Sequence, residues 1–429
     1  MFGLAGGFET SSYYVVSVAD LLPVPDEEYT PSESGTAWSS KLMAKVASEA
    51  LKRSLGLLLI HSHSFSSHPS LSRTDELGFR TLAPRLKSLI PFRPHGSLVL
   101  GEGRSVGGLV SLPRASNQAF NRIGDVRWTE NPIQMVPPRS AHSIPFELVY
   151  DRQELLIGQV GQRLLRAATI GVVGLGGGGS HLVQQAAHAG IGTLVLVDDD
   201  TIEASNLARL VGAEASDISR RKTEVMTRLV ARINPSTTVL VVNERFPSAR
   251  SIRALSDVDV VVSCVDTLSS RVELQKFGWR YLLPVVDIGI GTRLAEGPGP
   301  RRAQSIAGHV HVYLPGGPCM WCSGLLSQEK LSLESAGLGP EYVVGAANPA
   351  QVVSFNGVVA SMAVTELMQL VTGFMARSHN QVLLQYDVVA GEMYSLRVDL
   401  DHHCPHDTSE LGMGDPIEFA SSSIQPRGL

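Results

Sequence analysis

Apolar residues follow two different patterns along the chain, and the change between them falls near residue 150. Up to about residue 122, short strand-like runs predominate, such as "SYYVVSVADLLPV", "LGLLLIHSH", "GSLVLGEG" and "VGGLVSL". One helix is predicted within "SSKLMAKVASEALKRSL", because Leu42, Val46, Ala47 and Leu51 recur there at helical spacing. Residues 123–149 contain four prolines and no sustained period. This stretch is therefore predicted to be a linker between two domains.

From residue 150 onward, apolar strands alternate with helices. Strands are predicted in "TIGVVGLG", "TLVLVDDD", "TVLVVNE" and "DVDVVVSCVD", and helices in "GSHLVQQAAHAG" and "RRKTEVMTRLVARI". Continuous apolar strands joined through helices are typical of a parallel sheet that is covered on both faces. We therefore predict an α/β fold with a doubly wound, mostly parallel sheet over residues 150–410. A smaller α/β domain precedes it at residues 1–122, and residues 411–429 are predicted to form a flexible tail.

Composition narrows the class of protein. The 429 residues are 43% hydrophobic and 18% charged, as in ordinary globular proteins. A net charge of −5 argues against nucleic acid as the main partner. No apolar run approaches the roughly 20 residues that cross a bilayer, and the first residues lack the pattern of a signal peptide. Four cysteines are too few for a disulfide framework. We expect a cytoplasmic protein that contacts no membrane.

A glycine-rich segment joins the first predicted strand of the second domain to its helix. In "GVVGLGGGGSH", Gly174, Gly176, Gly177 and Gly179 would let the backbone approach a phosphate, whose charge a helix N-terminus favours. This signal fits NAD, FAD or ATP equally well. A glycine turn without a ligand is the simpler alternative. The G-x-x-x-x-G-K-[ST] pattern of an ordinary P-loop does not occur.

Polar residues beyond the glycines bear on the choice of nucleotide. Asp198 follows the second strand, where a carboxylate can bind ribose hydroxyls, and Asp200 is close behind it. The candidate phosphate-binding residues Asn206, Arg209 and Lys222 follow, and Asp266 ends a later strand. Basic groups at a phosphate crevice suit charge that develops on phosphorus, and a carboxylate at a neighbouring strand end suits Mg²⁺. Taken singly, Asn206 and Arg209 could equally make local contacts, and Lys222 could be a solvated helix residue.

The ordered set of these motifs resembles the ThiF/MoeB group, relatives of the ubiquitin-activating enzymes. The resemblance runs from "YDRQELLIGQVG" through "VVGLGGGGSH", "DDDTIEASNLARL" and "CVDT" to "PCMWC", at residues 150–406. It implies that ATP is used to adenylate the C-terminal carboxylate of a small ubiquitin-like or sulfur-carrier β-grasp protein. Asp198 would then bind ribose, Asn206, Arg209 and Lys222 the phosphates, and Asp266 Mg²⁺. Arg152 would reach the triphosphate from the other subunit of a homodimer. A conjugating protein is a further candidate partner.

The cysteines of the second domain are candidates for a zinc site. Cys319 and Cys322 form a Cys-x-x-Cys pair, and the resembled family holds a structural zinc with such a pair and a second one near the domain end. Here the second pair is incomplete: Cys404 is present, with Asp407 at the expected fourth position and His403 and His406 beside it. We favour Cys₃His zinc ligation with His406, against a metal-free site or a redox pair. No cysteine occurs in residues 324–348, so adenylation without an enzyme thioester is expected.

The segment "HSHSFSSHPSLSRTD" of the first domain predicts a second zinc site. His61 and His63 stand at i and i+2 of an extended segment, so both can face one ion. With Ser72 and Asp75 they resemble the JAMM/JAB (Mov34/MPN) metallopeptidases, which trim or remove ubiquitin-like proteins. That resemblance implies zinc on His61, His63 and Asp75, and a role for Ser72 in oxyanion stabilisation. A polar loop is the simpler alternative.

Two features depart from the metallopeptidase pattern. Eight residues instead of seven separate His63 from Ser72, and Ser64 replaces the usual proline. In the segment "MFGLAGG", which matches the glycines around the family's general base, the glutamate would fall one position before Met1, and Glu9 is out of register. Peptidase activity therefore stays open.

The combined hypothesis is a two-domain enzyme whose zinc-dependent domain trims or deconjugates the protein tail that its second domain adenylates. Three alternatives remain: an NAD- or FAD-dependent oxidoreductase with the same glycine loop, a non-catalytic scaffold that binds a β-grasp protein, and activation of a peptide or small-molecule carboxylate.

Overall fold

The computed structural model describes residues 1–10, 14–25, 28–32, 35–63, 66–113, 115–116, 119–124, 126, 148–294, 303–337, 351–375, 377, 382–401, 404 and 410–415. These form two compact units. The N-terminal unit comprises Met1–Val126 together with Thr408–Leu429, and the central unit comprises Arg127–Asp407. Most of the predicted linker, at residues 127–147, lies outside the described residues.

A six-stranded sheet forms the N-terminal unit, in the order β2-β1-β5-β6-β7-β8. Its strands are β1 (Phe2–Glu9), β2 (Tyr14–Leu22), β5 (Gly56–Ser62), β6 (His95–Leu100), β7 (Val106–Ser111) and β8 (Asn121–Arg122), and a separate hairpin contains β3 (Tyr29–Ser32) and β4 (Gly35–Trp38). β5 and β6 are parallel, whereas β1 pairs antiparallel with both β2 and β5. The apolar runs predicted as strands correspond to β2, β5, β6 and β7.

Two helices cover this sheet, α1 (Ser40–Lys52) and α2 (Arg73–Leu89). The predicted helix is α1, and it buries Leu42, Val46 and Ala50. These side chains share a core with Phe2, Leu4 and Phe79. The predicted helix therefore faces the core with Leu42, Val46 and Ala50, whereas Leu51, which the spacing placed on the same stripe, is 53% exposed.

A short C-terminal segment completes the N-terminal unit. Gly414 forms a parallel bridge with Gly7, where β1 extends beyond its pairing with β5. Ser17 Oγ donates to the carbonyl oxygen of Gly412 over 2.6 Å, and Met413 packs against the core. We call Glu410–Asp415 the C-terminal strap. The tail that the sequence predicts at residues 411–429 thus begins with residues of this strap, and residues 416–429 lie outside the described part of the chain.

An eight-stranded sheet forms the central unit, in the order β11-β10-β9-β12-β13-β14-β15-β16. Its strands are β9 (Thr169–Val173), β10 (Thr193–Val197), β11 (Thr238–Val242), β12 (Val260–Ser263), β13 (Val285–Leu294), β14 (Ala303–Tyr313), β15 (Val382–Asp387) and β16 (Glu392–Leu396). The pairs from β11 to β13 are parallel and those from β13 to β16 antiparallel. The predicted α/β fold with a doubly wound, parallel-rich sheet is confirmed.

The helices of the central unit are α3 (Asp151–Ala167), α4 (Gly177–Ala189), α5 (Lys222–Ile233), α6 (Ala249–Leu255), α7 (Leu268–Arg280), α8 (Gln328–Ser335) and α9 (Val353–Thr372). The core joins the apolar strands to α4, α5 and α9. α9 is apolar nearly all round and buries residues on several sides. Among the described helices, none combines the length and apolarity that a membrane crossing requires.

Candidate functional site

The glycine segment forms a tight connection between β9 and α4. Gly174 has φ +88°, and a Cβ there would lie 2.6 Å from the carbonyl oxygen of Cys264. A Cβ on Gly179 would lie 2.0 Å from the Gly174 carbonyl oxygen. Both positions therefore require glycine. Gly176 is the N-cap of α4 and makes no side-chain capping bond, so the first backbone N–H groups of the helix are available to an anion.

Asp198 is tied to this turn from the next strand. Its Oδ2 accepts a hydrogen bond from Leu175 N at 2.6 Å, and its Oδ1 accepts one from Asp200 N at 2.8 Å. Burial raises the pKa of Asp198, and nearby Lys222 and the two N–H donors offset part of that rise. The carboxylate thus fixes the glycine turn relative to the end of β10.

Lys222 stands at the start of α5 with its ammonium group among these carboxylates. Nζ lies 2.6 Å from Asp200 Oδ2 and 3.9 Å from Asp198 Oδ1. The Lys222 side chain is 11% exposed, whereas Asp200 is 64% exposed. The alternative of a solvated helix residue does not describe Lys222: it is a nearly buried cation at the edge of the glycine turn.

Asn206 and Arg209 make local contacts in the structure. Asn206 Oδ1 accepts from Glu203 N at 3.2 Å, and Arg209 Nη1 donates to the Ser205 carbonyl oxygen over 2.8 Å. An ion pair lies in the same connection between β10 and α5: Arg228 of α5 donates to Asp217 over 2.8 and 2.6 Å. The hydrogen bond from Arg228 is the main cause that lowers the pKa of Asp217 to about 2. Asn206 and Arg209 are thus tied to their own loop, and among the described hydrogen bonds none joins either side chain to the glycines.

Asp266 and Arg152 are both exposed. Asp266 follows β12, whose neighbouring Cys264 carbonyl packs against Gly174, so it lies at the same edge of the sheet as the glycine turn. Arg152 lies in the first turn of α3. The acidic side chains that the described structure brings together are Asp198, Asp199 and Asp200.

A buried polar cluster was missed by the sequence analysis. Asp287 on β13 is fully buried and accepts hydrogen bonds from Ser263 Oγ at 2.5 Å, from Arg271 Nε at 3.1 Å and from His309 Nε2 at 2.9 Å. Burial alone would raise the pKa of Asp287, but Arg271, His309 and Ser263 together hold it below its ordinary value. The charged residue inside the apolar strand "VVDIGI" was the available signal.

Three cysteines come together at the other end of the same unit. Cys319 Sγ lies 3.7 Å from Cys322 Sγ and 3.4 Å from Cys404 Sγ. Thiolates on a tetrahedral zinc lie about 3.8 Å apart, given Zn–S bonds of about 2.3 Å. The three sulfurs therefore fit a zinc ion. His403, His406 and Asp407, the candidates for a fourth ligand, lie outside the described residues.

The predicted metal ligands of the N-terminal unit also converge. His61 is the second-last residue of β5, His63 directly follows the strand, and Asp75 lies in the first turn of α2. Their ligand atoms all lie within 4.8 Å of one another. His61 Nε2 is buried without a hydrogen-bond partner among the described residues, 3.5 Å from Asp75 Oδ2. Burial lowers the pKa of His61, although Asp75 opposes the shift.

Ser72 serves as the N-cap of α2 at this second site. Its Oγ donates to Asp75 Oδ2 over 2.6 Å, and the N–H of each residue bonds the side chain of the other. This capping box fixes Asp75 at the start of α2. Two imidazoles and a carboxylate within 4.8 Å of one another are a donor set that suits a divalent metal such as zinc.

The doubly wound sheet and the glycine turn that exposes a helix N-terminus define the central unit as a nucleotide-binding domain. A model of the ThiF family matches residues 150–406, more than half of the chain. The chain therefore belongs to the ThiF family and is an adenylyltransferase of that family. The family resemblance of the second domain is thus confirmed, whereas residues 1–149 lie outside the match.

Individual relatives agree with this assignment. The chain is 26% identical over 260 residues to the molybdopterin-synthase adenylyltransferase of Escherichia coli (strain K12), covering 60% of this chain and 94% of that protein. It is 29% identical over 270 residues to the adenylyltransferase and sulfurtransferase MOCS3 of Bos taurus, covering 62% of this chain and 54% of that protein. The SAMP-activating enzyme E1 of Haloferax volcanii is 33% identical over 166 residues, covering 39% of this chain and 57% of that protein.

Among solved structures, E. coli MccB with MccA-N7isoASN is similar in fold, with a TM-score of 0.50 and 20% identity. The similarity covers 61% of this chain and 76% of that one.

Proposed function

We propose that the central unit uses ATP to adenylate the C-terminal carboxylate of a small ubiquitin-like or sulfur-carrier β-grasp protein. The observation that carries this proposal is the nearly buried Lys222 ammonium beside Asp198 and the free N-terminus of α4. In the reaction a carboxylate oxygen attacks the α-phosphorus, and the bond to the pyrophosphate oxygen breaks. Two anions must approach each other, so cations and N–H donors around them lower the barrier.

Each residue would have a distinct part in binding ATP. The backbone N–H groups that follow Gly176 would donate hydrogen bonds to a phosphate, and Asp198 would bind ribose. Asn206, Arg209 and Lys222 would contact phosphates by exchanging their present partners for anionic oxygens. Asp266, exposed at the same sheet edge, would hold Mg²⁺, which neutralises phosphate charge when bound.

A homodimer would complete the site. Arg152 lies on the same helix as Leu155, Leu156 and Val160, whose exposed fractions are 81%, 67% and 60%. A group of large apolar side chains with such high exposure is typical of a protein–protein interface. We propose that a second copy of the chain covers them, which would bring the partner's guanidinium to the triphosphate.

The names of the relatives support a small ubiquitin-like or sulfur-carrier protein as the substrate. A molybdopterin-synthase adenylyltransferase and a SAMP-activating enzyme are both similar to this chain. No cysteine occurs at residues 324–348, so the adenylate would pass directly to an acceptor instead of to an enzyme thioester. A peptide or small-molecule carboxylate is the second candidate, and a conjugating protein is a candidate acceptor. Family membership leaves the oxidoreductase alternative without support.

Two zinc centres would serve different roles. The thiolates of Cys319, Cys322 and Cys404, with His406 as the proposed fourth ligand, would hold a structural zinc. His61, His63 and Asp75 would hold a second zinc, which polarises a carbonyl when bound. Ser72 would then donate its hydroxyl hydrogen to the developing oxyanion, and the N-terminal unit would trim or deconjugate the protein tail that the central unit activates.

ATP–pyrophosphate exchange tests the adenylation directly. The full chain is incubated with labelled pyrophosphate, ATP, Mg²⁺ and β-grasp proteins that end in Gly-Gly. Exchange that depends on an intact Gly-Gly carboxylate supports the proposal, whereas exchange with a free peptide or small acid favours the second candidate. A melting temperature that rises with NAD but not with ATP would contradict ATP use. ATP binding without exchange, with any of these carboxylates, would favour the scaffold.

A further inference from the structure

A buried amide lies against the first turn of α4. Asn356 in α9 is 4% exposed, and its Nδ2 atom finds no hydrogen-bond partner among the described residues. A Cβ on Gly177, the first residue of α4, would lie 2.4 Å from that Nδ2 atom. His181, one turn further along α4, also has a buried Nε2 without a partner there, so the two side chains do not satisfy each other.

The lack of a partner is costly. Burying an amide without a compensating hydrogen bond is unfavourable, and α9 is otherwise apolar around this position, with buried Val359, Ala360 and Ala363. The free N–H groups of α4 and the positive end of its dipole lie at the same place. At the Cβ position of Gly177 the amide nitrogen is nearer, at 2.4 Å, than the amide oxygen, at 3.2 Å. A donor of Asn356 therefore faces the donors of α4, and an anion bound at this turn would interact favourably with both.

We propose that Asn356 is a positioning residue for the nucleotide phosphates. The inference rests on the proposed use of ATP. Asn356 acts through the glycine turn: its amide packs on Gly177 from the α9 side, and its partial positive charge adds to the potential at the start of α4. The unfavourable burial of the amide in the free protein is thereby offset when phosphate binds.

Asn356→Leu tests this coupling, because leucine has nearly the same volume and needs no hydrogen bond. Gln369→Leu is the matched control on the same helix. Gln369 is 2% exposed, but its amide is partnered: Met375 N donates to Oε1 over 2.6 Å, and Nε2 donates to the Met375 carbonyl oxygen over 3.4 Å. One variant removes an unpartnered amide and the other a partnered one.

The measurements are the melting temperature of the free protein, the Kd for ATP with Mg²⁺ by calorimetry, and the KM for ATP and kcat in pyrophosphate exchange. For Asn356→Leu we expect an unchanged or higher melting temperature, a Kd and KM raised about tenfold, and kcat within about twofold of wild type. For Gln369→Leu we expect a lower melting temperature and an unchanged Kd.

Several outcomes would overturn the inference. One is a Kd for Asn356→Leu equal to that of wild type. Another is a lowered melting temperature with unchanged ATP binding, as expected if the amide oxygen simply caps α4. If Asn356→Leu does not fold, Asn356→Ala takes its place, and failure of both to fold assigns Asn356 to the core. A wild-type protein that binds no ATP would instead reject the proposed function.

Discussion

Arg93 Nη1 donates a hydrogen bond to the carbonyl oxygen of Met413 over 2.8 Å, although 320 positions separate the two residues. The same nitrogen reaches the carbonyl oxygen of Asp415 at 3.1 Å, and Arg93 is only 3% exposed. The buried guanidinium is therefore partnered in part by the C-terminal strap. The N-terminal unit is built from both ends of the described chain.

Gly414→Ala is expected to loosen the N-terminal unit. Gly414 has φ +63°, and a Cβ there would lie 2.4 Å from the carbonyl oxygen of Gly7. Left-handed backbone costs a non-glycine residue about 1–2 kcal/mol, and the clash adds to that. Hydrogen exchange of β1 and β2 amides should accelerate correspondingly. Gly391→Ala is the control, because Gly391 has φ +71° but nothing within 4 Å of its Cβ position. If the β1 amides exchange at the same rate in Gly414→Ala and Gly391→Ala, the C-terminal strap does not stabilise the N-terminal unit.

The sequence predicted those parts of the fold that depend on residues close together along the chain. Continuous apolar strands imply a parallel sheet, and the glycine turn and the His61-x-His63 spacing follow from backbone geometry. The strap was not predictable, because the pairing of Ser17 with Gly412 depends on a contact 395 positions apart. The Asp287 cluster and the Asn356 amide depend on which helix packs against which strand, and hydrophobic periodicity does not encode that choice.

Lys222→Met is expected to lower the kcat/KM of pyrophosphate exchange about 10²–10³-fold. The loss of the ammonium would leave Asp198 and Asp200 without their neighbouring cation, so two carboxylates would repel the incoming triphosphate. Lys222→Arg should retain part of the activity because the charge is kept. Lys276→Met is a control, because the Lys276 side chain is 57% exposed and pairs only with Glu273 among the described salt bridges. An active Lys222→Met variant would exclude a role for Lys222 in phosphate binding.

The two proposed zinc centres should be separable by metal analysis. His61→Ala should lose one zinc ion per chain and leave adenylation intact, whereas Cys319→Ser should lose the other zinc and lower the melting temperature. Ser72→Ala should retain zinc but reduce any peptidase activity, and the lost helix cap should cost about 1 kcal/mol. Unchanged zinc content in His61→Ala would refute the site in the N-terminal unit. If His61→Ala loses its zinc but the wild-type protein shows no peptidase activity, the metal site in the N-terminal unit is structural.

Acid should destabilise the N-terminal unit through His95. This side chain is fully buried, with Nδ1 accepting from Leu57 N at 3.1 Å and Nε2 lying 3.1 Å from the Ile90 carbonyl oxygen. Burial, partly offset by the bond to Ile90, lowers the pKa of His95 from 6.5 to about 4. The unfolded chain therefore binds a proton between these pH values and the folded chain does not. Stability is fully present above pH 6.5 and falls by about 1.4 kcal/mol per pH unit down to about pH 4.

Hydrogen exchange in β5 and β6, measured from pH 8 to pH 4 and corrected for intrinsic exchange rates, would show this loss. His95→Gln should cost stability at pH 8, because the Leu57 N–H loses its ring acceptor, yet its stability should change less with pH. His68→Gln, at an exposed position, should lose the same stability per pH unit as the wild type. The dependence of stability on pH is assigned to His95 only if it weakens in His95→Gln and not in His68→Gln. If all three proteins lose the same stability per pH unit, another group causes the acid sensitivity, for example His61, whose pKa is also lowered by burial, and the His95 imidazole contributes only its two hydrogen bonds.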